Sequence, residues 1–134
     1  MEASRHELRL AFYRHWHAYN NANPKTPSHW MVLFYAVECG LKLFVMRNNP
    51  KMKSTADLDE ELRSHCINLL LKKAGYGSPG VKSVKYGPDR TSMWAESAEI
   101  HLLWRYGIDA DEAGQAAAVG RLSEIAEWLE AEAV

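Results

Sequence analysis

The sequence predicts an all-α protein, an up-and-down bundle of about five helices around a central buried helix. Residues 30–46 form an apolar run interrupted only by Glu38, Gly40 and Lys42, and a helix that is apolar on nearly every face lies inside a protein. Apolar residues recur at helical spacing in the other predicted helices. The 134 residues are predicted to form a single domain, 1–134, because a chain of this length can bury a core without disulfides or metals.

The first two helices are predicted from signals at their ends. Ser4 and Glu7 have the spacing of a capping box, which begins a helix over about 5–20 with an apolar stripe on one face. The dipeptide Thr26-Pro27 supplies an N-cap and a proline at the first helical position. The second helix is therefore expected over about 27–47, where it contains the apolar run.

The third helix is predicted to begin near Asp57 and to end at Gly75, with lysines in its last turn. The following segment, 75–92, contains four glycines and two prolines. It predicts either a long irregular loop or a loop with a short extended piece at 81–86.

Two further helices follow this loop. Ser92 is predicted to cap a fourth helix that runs to Tyr106. Trp94 and Trp104 on this helix are assigned to the core, because aromatic side chains dominate the buried area of small bundles. The fifth helix is assigned a capping pair and an apolar stripe: Asp109, Glu112, Leu122, Ile125, Ala126 and Leu129.

The central helix carries charged side chains that require partners. Glu38 and Lys42 stand one turn apart on one face, in the order that favours an ion pair. Buried charges must be paired, so we expect Arg105 of the fourth helix to be a further partner of Glu38. His65 is assigned to the same structural polar network rather than to catalysis.

Charge and motifs exclude several classes of function. The 16 basic and 17 acidic side chains argue against nucleic-acid binding by bulk charge alone. The sequence has no Walker, nucleophile-elbow, paired zinc-ligand or Rossmann motif, so we expect no metal and no cofactor. Cys39 and Cys66 lie in apolar patterns and predict reduced thiols. The charged N-terminus and the charges within the apolar run favour a cytoplasmic protein that does not enter a membrane.

Three sequence fragments occur in order on the predicted helices: YAVECGLKLF at 35–44, RSHCINLLLKKAG at 63–75 and WRYG at 104–107. Together they resemble motifs of the HEPN family of small helical-bundle domains, over most of the chain. The resemblance implies a bundle that is commonly a homodimer and belongs to prokaryotic toxin-antitoxin, phage-defence or other stress systems. It also implies RNA or a cognate protein as the partner.

For catalytic members, the resemblance implies a metal-independent ribonuclease with an arginine followed after four to six residues by a histidine, late in the fold. Here no histidine follows Arg105 within that distance, and the matching spacing is Arg9 to His15 on the first helix. Two functions are therefore open. The preferred one is an accessory or binding module that engages RNA or a protein partner without cleaving it, and the other is a ribonuclease that uses Arg9 and His15 as its catalytic pair.

Two groups of basic side chains are candidates for binding phosphate. One flanks His15 on the first helix, where arginine would hold phosphate beside a histidine acid or base. The other surrounds an aromatic residue in the long loop, as in contacts to single-stranded nucleic acid. A solvated helix face and an ordinary solvated loop are the alternatives. The candidates are Arg14 and His17 on the helix, and Lys82, Lys85 and Arg90 in the loop.

Overall fold

A computed structural model describes residues 2–77, 79–88 and 93–134 of the chain. The described part contains five α-helices and one small antiparallel hairpin, so the prediction of an all-α helical bundle is confirmed. The helices are α1 (Arg5–Asn21), α2 (Pro27–Arg47), α3 (Ile67–Ala74), α4 (Ile100–Arg105) and α5 (Glu112–Ala131). The strands are β1 (Val84–Tyr86) and β2 (Met93–Ala95), and two 3-10 turns span Thr55–Asp57 and Glu60–Arg63.

The first two helices have the bounds that their end signals predict. Ser4 Oγ accepts a hydrogen bond from the Glu7 backbone N–H at 3.2 Å, and Glu7 Oε1 accepts one from the Ser4 N–H at 3.0 Å. This reciprocal capping box begins α1. Pro27 occupies the first turn of α2, where its missing N–H costs no intrahelical bond.

Helix α2 is the centre of the bundle and packs against α1, α3, α4 and α5. Most of its side chains from Leu33 to Met46 are buried. Gly40 lies where α1 and α5 come closest to α2, against Phe12 and Leu129. The absence of a side chain at this position lets all three helices share one core.

The prediction of one long third helix from Asp57 is wrong. The Asp57 carboxylate accepts a hydrogen bond from the Lys53 backbone N–H at 2.7 Å, and Ser64 Oγ donates to the Glu61 carbonyl at 2.7 Å. Such local side-chain bonds compete with helix formation, so this segment forms the two 3-10 turns and α3 begins only at Ile67. The predicted apolar stripe nevertheless reaches the core through Leu58 and Leu62.

The fourth helix is shorter than predicted because its expected first turns form strand β2. Trp94 pairs with Lys85 of β1, so the long loop contains a hairpin and α4 begins at Ile100. The expected cap, Ser92, lies outside the described residues. Trp94 is 50% exposed, which makes its assignment to the core wrong, whereas Trp104 is buried as predicted.

The fifth helix is capped two residues later than predicted. Asp111 Oδ2 accepts a hydrogen bond from the Gly114 backbone N–H at 2.7 Å, so Asp111 takes the capping position assigned to Asp109. The delay follows from the hairpin, because the Asp111 backbone N–H donates to the Lys85 carbonyl at 2.9 Å and keeps this segment extended. The predicted apolar stripe of α5 is buried throughout.

Among the described residues, Pro27–Arg47 is the one helix long and apolar enough to cross a membrane, with a mean hydropathy of 1.4. In the bundle, protein buries 67% of the 18-residue stretch of this helix that has that mean hydropathy. A buried core helix passes the same test of length and composition as a membrane span, so the apolar run has a structural explanation.

We expect Gly40→Ala to lower the free energy of unfolding by about 1–3 kcal/mol, the usual range for overpacking a core. The added methyl group would lie 2.7 Å from Leu129 Cδ1 and 2.8 Å from Phe12 Cδ1. Gly120→Ala on α5 is the matched control, because nothing lies within 4 Å of its new methyl group. This control should gain up to about 1 kcal/mol from helix propensity. Urea denaturation measures the free energy of unfolding of both variants. An equal change in the two variants would contradict the packing role of Gly40.

Candidate functional site

A buried carboxylate on α2 lies at the centre of the main polar cluster. Glu38 is 7% exposed, and both of its oxygens are paired. Lys42 Nζ donates to Oε2 at 2.8 Å, and His65 Nδ1 lies 2.8 Å from Oε1. Lys42 also donates to the Arg63 carbonyl at 3.1 Å. These contacts satisfy the charge of Glu38, as burial requires.

The interruption of the predicted third helix places His65 on Glu38. His65 lies in the short link between the second 3-10 turn and α3, while Glu38 lies one turn before Lys42 on α2. An ionised carboxylate can only accept hydrogen bonds, so we assign the proton between these two residues to His65 Nδ1. The His65 side chain is 51% exposed, and its Nε2 is left as the acceptor.

A second imidazole, His101 of α4, packs against the first. The ring centroids of His65 and His101 are 4.6 Å apart, and His101 also packs on Phe34 at 4.7 Å. His101 is only 2% exposed, and no partner in the described part of the chain reaches its buried Nδ1. Burial, together with the neighbouring His65, lowers the pKa of His101 to about 4. His101 is therefore neutral at pH 7.

An exposed cation lies beside the two imidazoles. Arg105, the last residue of α4, donates a hydrogen bond from Nη2 to the Tyr35 hydroxyl. The Tyr106 hydroxyl, and then that of Tyr35, raise the pKa of Arg105. The Tyr35 ring centroid lies 5.9 Å from that of His101 and 6.5 Å from that of His65. Tyr35 therefore links the guanidinium to both imidazoles.

We name this group the histidine cluster and define it as Tyr35, Glu38, His65, His101 and Arg105. It offers one exposed imidazole oriented by a carboxylate, and an exposed guanidinium that is bonded to a phenol. The imidazole can transfer a proton, and the guanidinium can stabilise negative charge that develops on a phosphate.

The cluster contains no strong nucleophile of its own. Cys39, the cysteine nearest to Glu38 in sequence, is largely buried, and burial together with the Glu38 charge raises the pKa of its thiol to about 11. A thiol of this kind is inert at neutral pH. Within residues 2–77, 79–88 and 93–134, no group of three His, Cys, Asp or Glu side chains is placed to hold a metal ion.

The candidates on α1 do not converge on one site. Arg9 and His15 are about 120° apart around the helix axis, because each residue advances by about 100°. His15 is half-buried, faces Tyr35 with ring centroids 6.4 Å apart, and has a pKa lowered by burial. Arg9, Arg14 and His17 are exposed, and the His17 ring packs beside that of Tyr13. The predicted Arg9 and His15 pair is therefore not assembled within the chain, and only His15 lies next to the histidine cluster.

The loop candidates lie outside the histidine cluster. Lys82 is exposed and lies in a cavity with Arg121 of α5. Lys85 Nζ lies 5.0 Å from the centre of the Trp94 ring, in a cation-π contact on the hairpin. Arg90 lies outside the described residues.

The sequence did not identify two members of the cluster, Tyr35 and His101, or the contact of Arg105 with Tyr35. The expected bond between Arg105 and Glu38 is wrong, because Arg105 bonds Tyr35 and His65 bonds Glu38. A weak signal existed, since Tyr35 precedes Glu38 by three residues and His101 precedes Arg105 by four. Both spacings place two polar side chains on one helix face. The signal did not show that the two faces meet.

Comparison with protein-family models, curated proteins and solved structures gave no match for this chain.

We expect Glu38→Gln to lower the free energy of unfolding by about 3–5 kcal/mol, because it leaves Lys42 buried without a counter-charge. The double variant Glu38→Gln with Lys42→Met should recover part of this loss, since the uncompensated charge is gone. Glu124→Gln in the exposed pair with Arg121 is the control and should cost less than about 1 kcal/mol. Chemical denaturation measures all three, and a double variant no more stable than Glu38→Gln alone would refute the charge argument.

We expect His101 to make the folded state less stable in mild acid. The unfolded imidazole takes up a proton below its ordinary pKa of 6.5, whereas the folded one does so only near pH 4. Stability from this group is complete above pH 6.5 and falls as the pH decreases, by about 2 kcal/mol at pH 5. His101→Phe should remove this part of the pH dependence, and His17→Phe at an exposed position is the control. If the free energy of unfolding changes with pH equally in wild type and His101→Phe, His101 is not the source of the acid sensitivity.

Proposed function

We propose that this protein cleaves single-stranded RNA without a metal ion, using the histidine cluster as its active site. The observation that carries the proposal is the exposed His65 imidazole, held by Glu38 at 2.8 Å and connected through Tyr35 to the exposed Arg105. A carboxylate that fixes the tautomer of a histidine leaves the other ring nitrogen ready to accept a proton. Arginine is suited to phosphate because its guanidinium can donate two parallel hydrogen bonds.

In the proposed reaction, His65 Nε2 takes the proton of a ribose 2′-hydroxyl. The 2′-oxygen then attacks the adjacent phosphorus, the bond to the 5′-oxygen breaks, and a 2′,3′-cyclic phosphate forms. Arg105 stabilises the negative charge on the phosphate oxygens during this step. The departing 5′-oxygen takes its proton from water, since His65 is the one exposed imidazole of the cluster.

RNA is the favoured substrate because it carries its own nucleophile. The cluster has a proton acceptor and a phosphate-binding cation, and the thiol of Cys39 beside Glu38 is largely buried with a raised pKa. A substrate with a 2′-hydroxyl supplies the nucleophile itself, whereas cleavage of DNA would require water or a protein group as the nucleophile. The resemblance to HEPN domains supports the same substrate and a role in a prokaryotic stress or defence system. A homodimer and a cognate protein partner stay predictions from that resemblance.

One observation favours a second function, a module that binds RNA without cleaving it. The two other imidazoles near the site are poor proton donors, because burial lowers the pKa values of both His101 and His15. A site with one working imidazole lacks a positioned acid for the leaving oxygen. In this second function Arg105 holds phosphate and His65 serves the polar network alone.

We expect the purified protein to cleave a fluorescent RNA in the presence of EDTA and to leave a 2′,3′-cyclic phosphate. His65→Ala should lower the rate by about 100-fold or more, the usual contribution of acid-base catalysis. Arg105→Ala should lower it by a comparable factor through lost charge stabilisation. His17→Ala and Arg14→Ala are the matched controls on the exposed part of α1, and both should keep the wild-type rate.

A substrate with one 2′-deoxy position tests the chemistry directly, since cleavage at that position should stop. No cleavage by wild type, combined with RNA binding that Arg105→Ala weakens, would establish the binding module instead. Cleavage that His65→Ala leaves unchanged would remove the histidine cluster from the mechanism.

A further inference from the structure

A small cavity lies between the hairpin and α4, the helix that carries His101 and Arg105 of the histidine cluster. Its volume is about 160 Å³. The lining includes two aromatic rings, three aliphatic side chains and one carboxylate: Tyr86, Tyr106, Leu102, Leu103, Ile108 and Glu99. Tyr106 directly follows Arg105, and its hydroxyl is close enough to the guanidinium to raise the pKa of Arg105. Tyr106 therefore connects the cavity to the proposed phosphate site.

The wall of this cavity is held by the end of α4. Gly107 adopts φ +62°, a conformation that suits glycine, and the Ile108 backbone N–H donates to the Leu103 carbonyl at 2.9 Å. This is the bond pattern of a helix that ends at a left-handed glycine. Tyr106 is 68% exposed and Ile108 is 38% exposed, so the motif presents an aromatic and an aliphatic side chain to solvent beside the cluster.

We infer that this cavity binds a pyrimidine base of the RNA strand, with a preference for cytosine. The inference rests on the proposed RNA site, since Arg105 would hold the phosphate next to the bound nucleotide. A cavity of about 150 Å³ accepts one benzene ring, which is the size of a pyrimidine ring but not of the fused rings of a purine. Tyr86 and Tyr106 supply the aromatic surface on which a base stacks.

Glu99 gives the cavity its preference between the two pyrimidines. Its Oε1 accepts a weak hydrogen bond from the Glu96 backbone N–H at 3.4 Å, and its other oxygen can accept a second bond. A carboxylate accepts a hydrogen bond from the exocyclic amino group of cytosine. Uracil has a carbonyl oxygen at the same position, which a carboxylate repels. Glu99 therefore favours cytosine, while Arg105 outside the cavity offsets the charge of the phosphate.

The test measures binding separately from cleavage, with 2′-O-methyl hexanucleotides of cytosine, uracil or adenine that cannot be cleaved. By fluorescence anisotropy, wild type should bind the cytosine oligonucleotide at least tenfold more tightly than the adenine one, and more tightly than the uracil one. Glu99→Gln should lower the ratio of cytosine to uracil affinity to about one or below, because an amide can also donate to uracil. Glu96→Gln, one turn earlier and outside the cavity, should keep the wild-type ratio.

The stacking surface has its own variants. Tyr106→Ala should weaken binding by roughly tenfold, in the range of one lost base stack, whereas Tyr106→Phe keeps the ring and should retain most of the affinity. Trp94→Ala removes another exposed aromatic ring, which lies outside the cavity, and should change affinity little. Melting temperatures of all variants verify that each is folded.

Equal affinity of wild type for the three oligonucleotides, or no binding of any, would overturn the base site. A ratio of cytosine to uracil affinity that Glu99→Gln leaves unchanged would do the same. These results are independent of the cleavage assay. If the protein cleaves RNA through His65 but shows no base preference, the proposed function stands and the base site is rejected. If it shows the base preference but does not cleave RNA, the base site stands and the proposed cleavage is rejected.

Discussion

The structure depends on neutralising one carboxylate inside the core. Glu38 lies on a helix that is otherwise almost entirely apolar, and an isolated charge at such a place would cost several kcal/mol. Its two oxygens take Lys42 from the same helix and His65 from a different segment. His65 can reach Glu38 because the chain between α2 and α3 forms two 3-10 turns rather than a longer helix. The polar core and the irregular backbone around it are therefore parts of one arrangement.

The same arrangement separates two histidines that are chemically alike. His65 and His101 lie with ring centroids 4.6 Å apart, but one is half-exposed on a carboxylate and the other is enclosed by Phe34 and its neighbours. Their surroundings therefore differ: the His65 ring is accessible to solvent, and the His101 ring is buried beside it. Arg105 and Tyr35 complete the site from the outside, where a guanidinium stays charged and reachable.

The parts of the fold that could be predicted from sequence are those set by neighbouring residues. The capping box at Ser4, the proline at the start of α2 and the apolar stripe of α5 are local signals, and each helix forms where they indicate. Strand β2 could not be predicted, because Trp94 lies in an extended segment through its pairing with Lys85 of β1, and the residues around Trp94 give no signal for that pairing. The site divides in the same way: Glu38 and Lys42 are one turn apart in sequence, whereas the meeting of His65, His101 and Tyr35 depends on how three elements pack. Helix periodicity carries no information about such contacts.

The position of α5 in the chain also has a consequence during synthesis. Gly40 and the surrounding apolar face of α2 are covered by α5, which leaves the ribosome after every other helix of this bundle. Until then the most apolar segment of the protein has one uncovered side, a state in which nascent chains aggregate or recruit chaperones. The histidine cluster comes from α2, α4 and the link before α3, so its residues are all synthesised before that face closes. Completion of the last helix thus protects the newly made protein more than it builds the site.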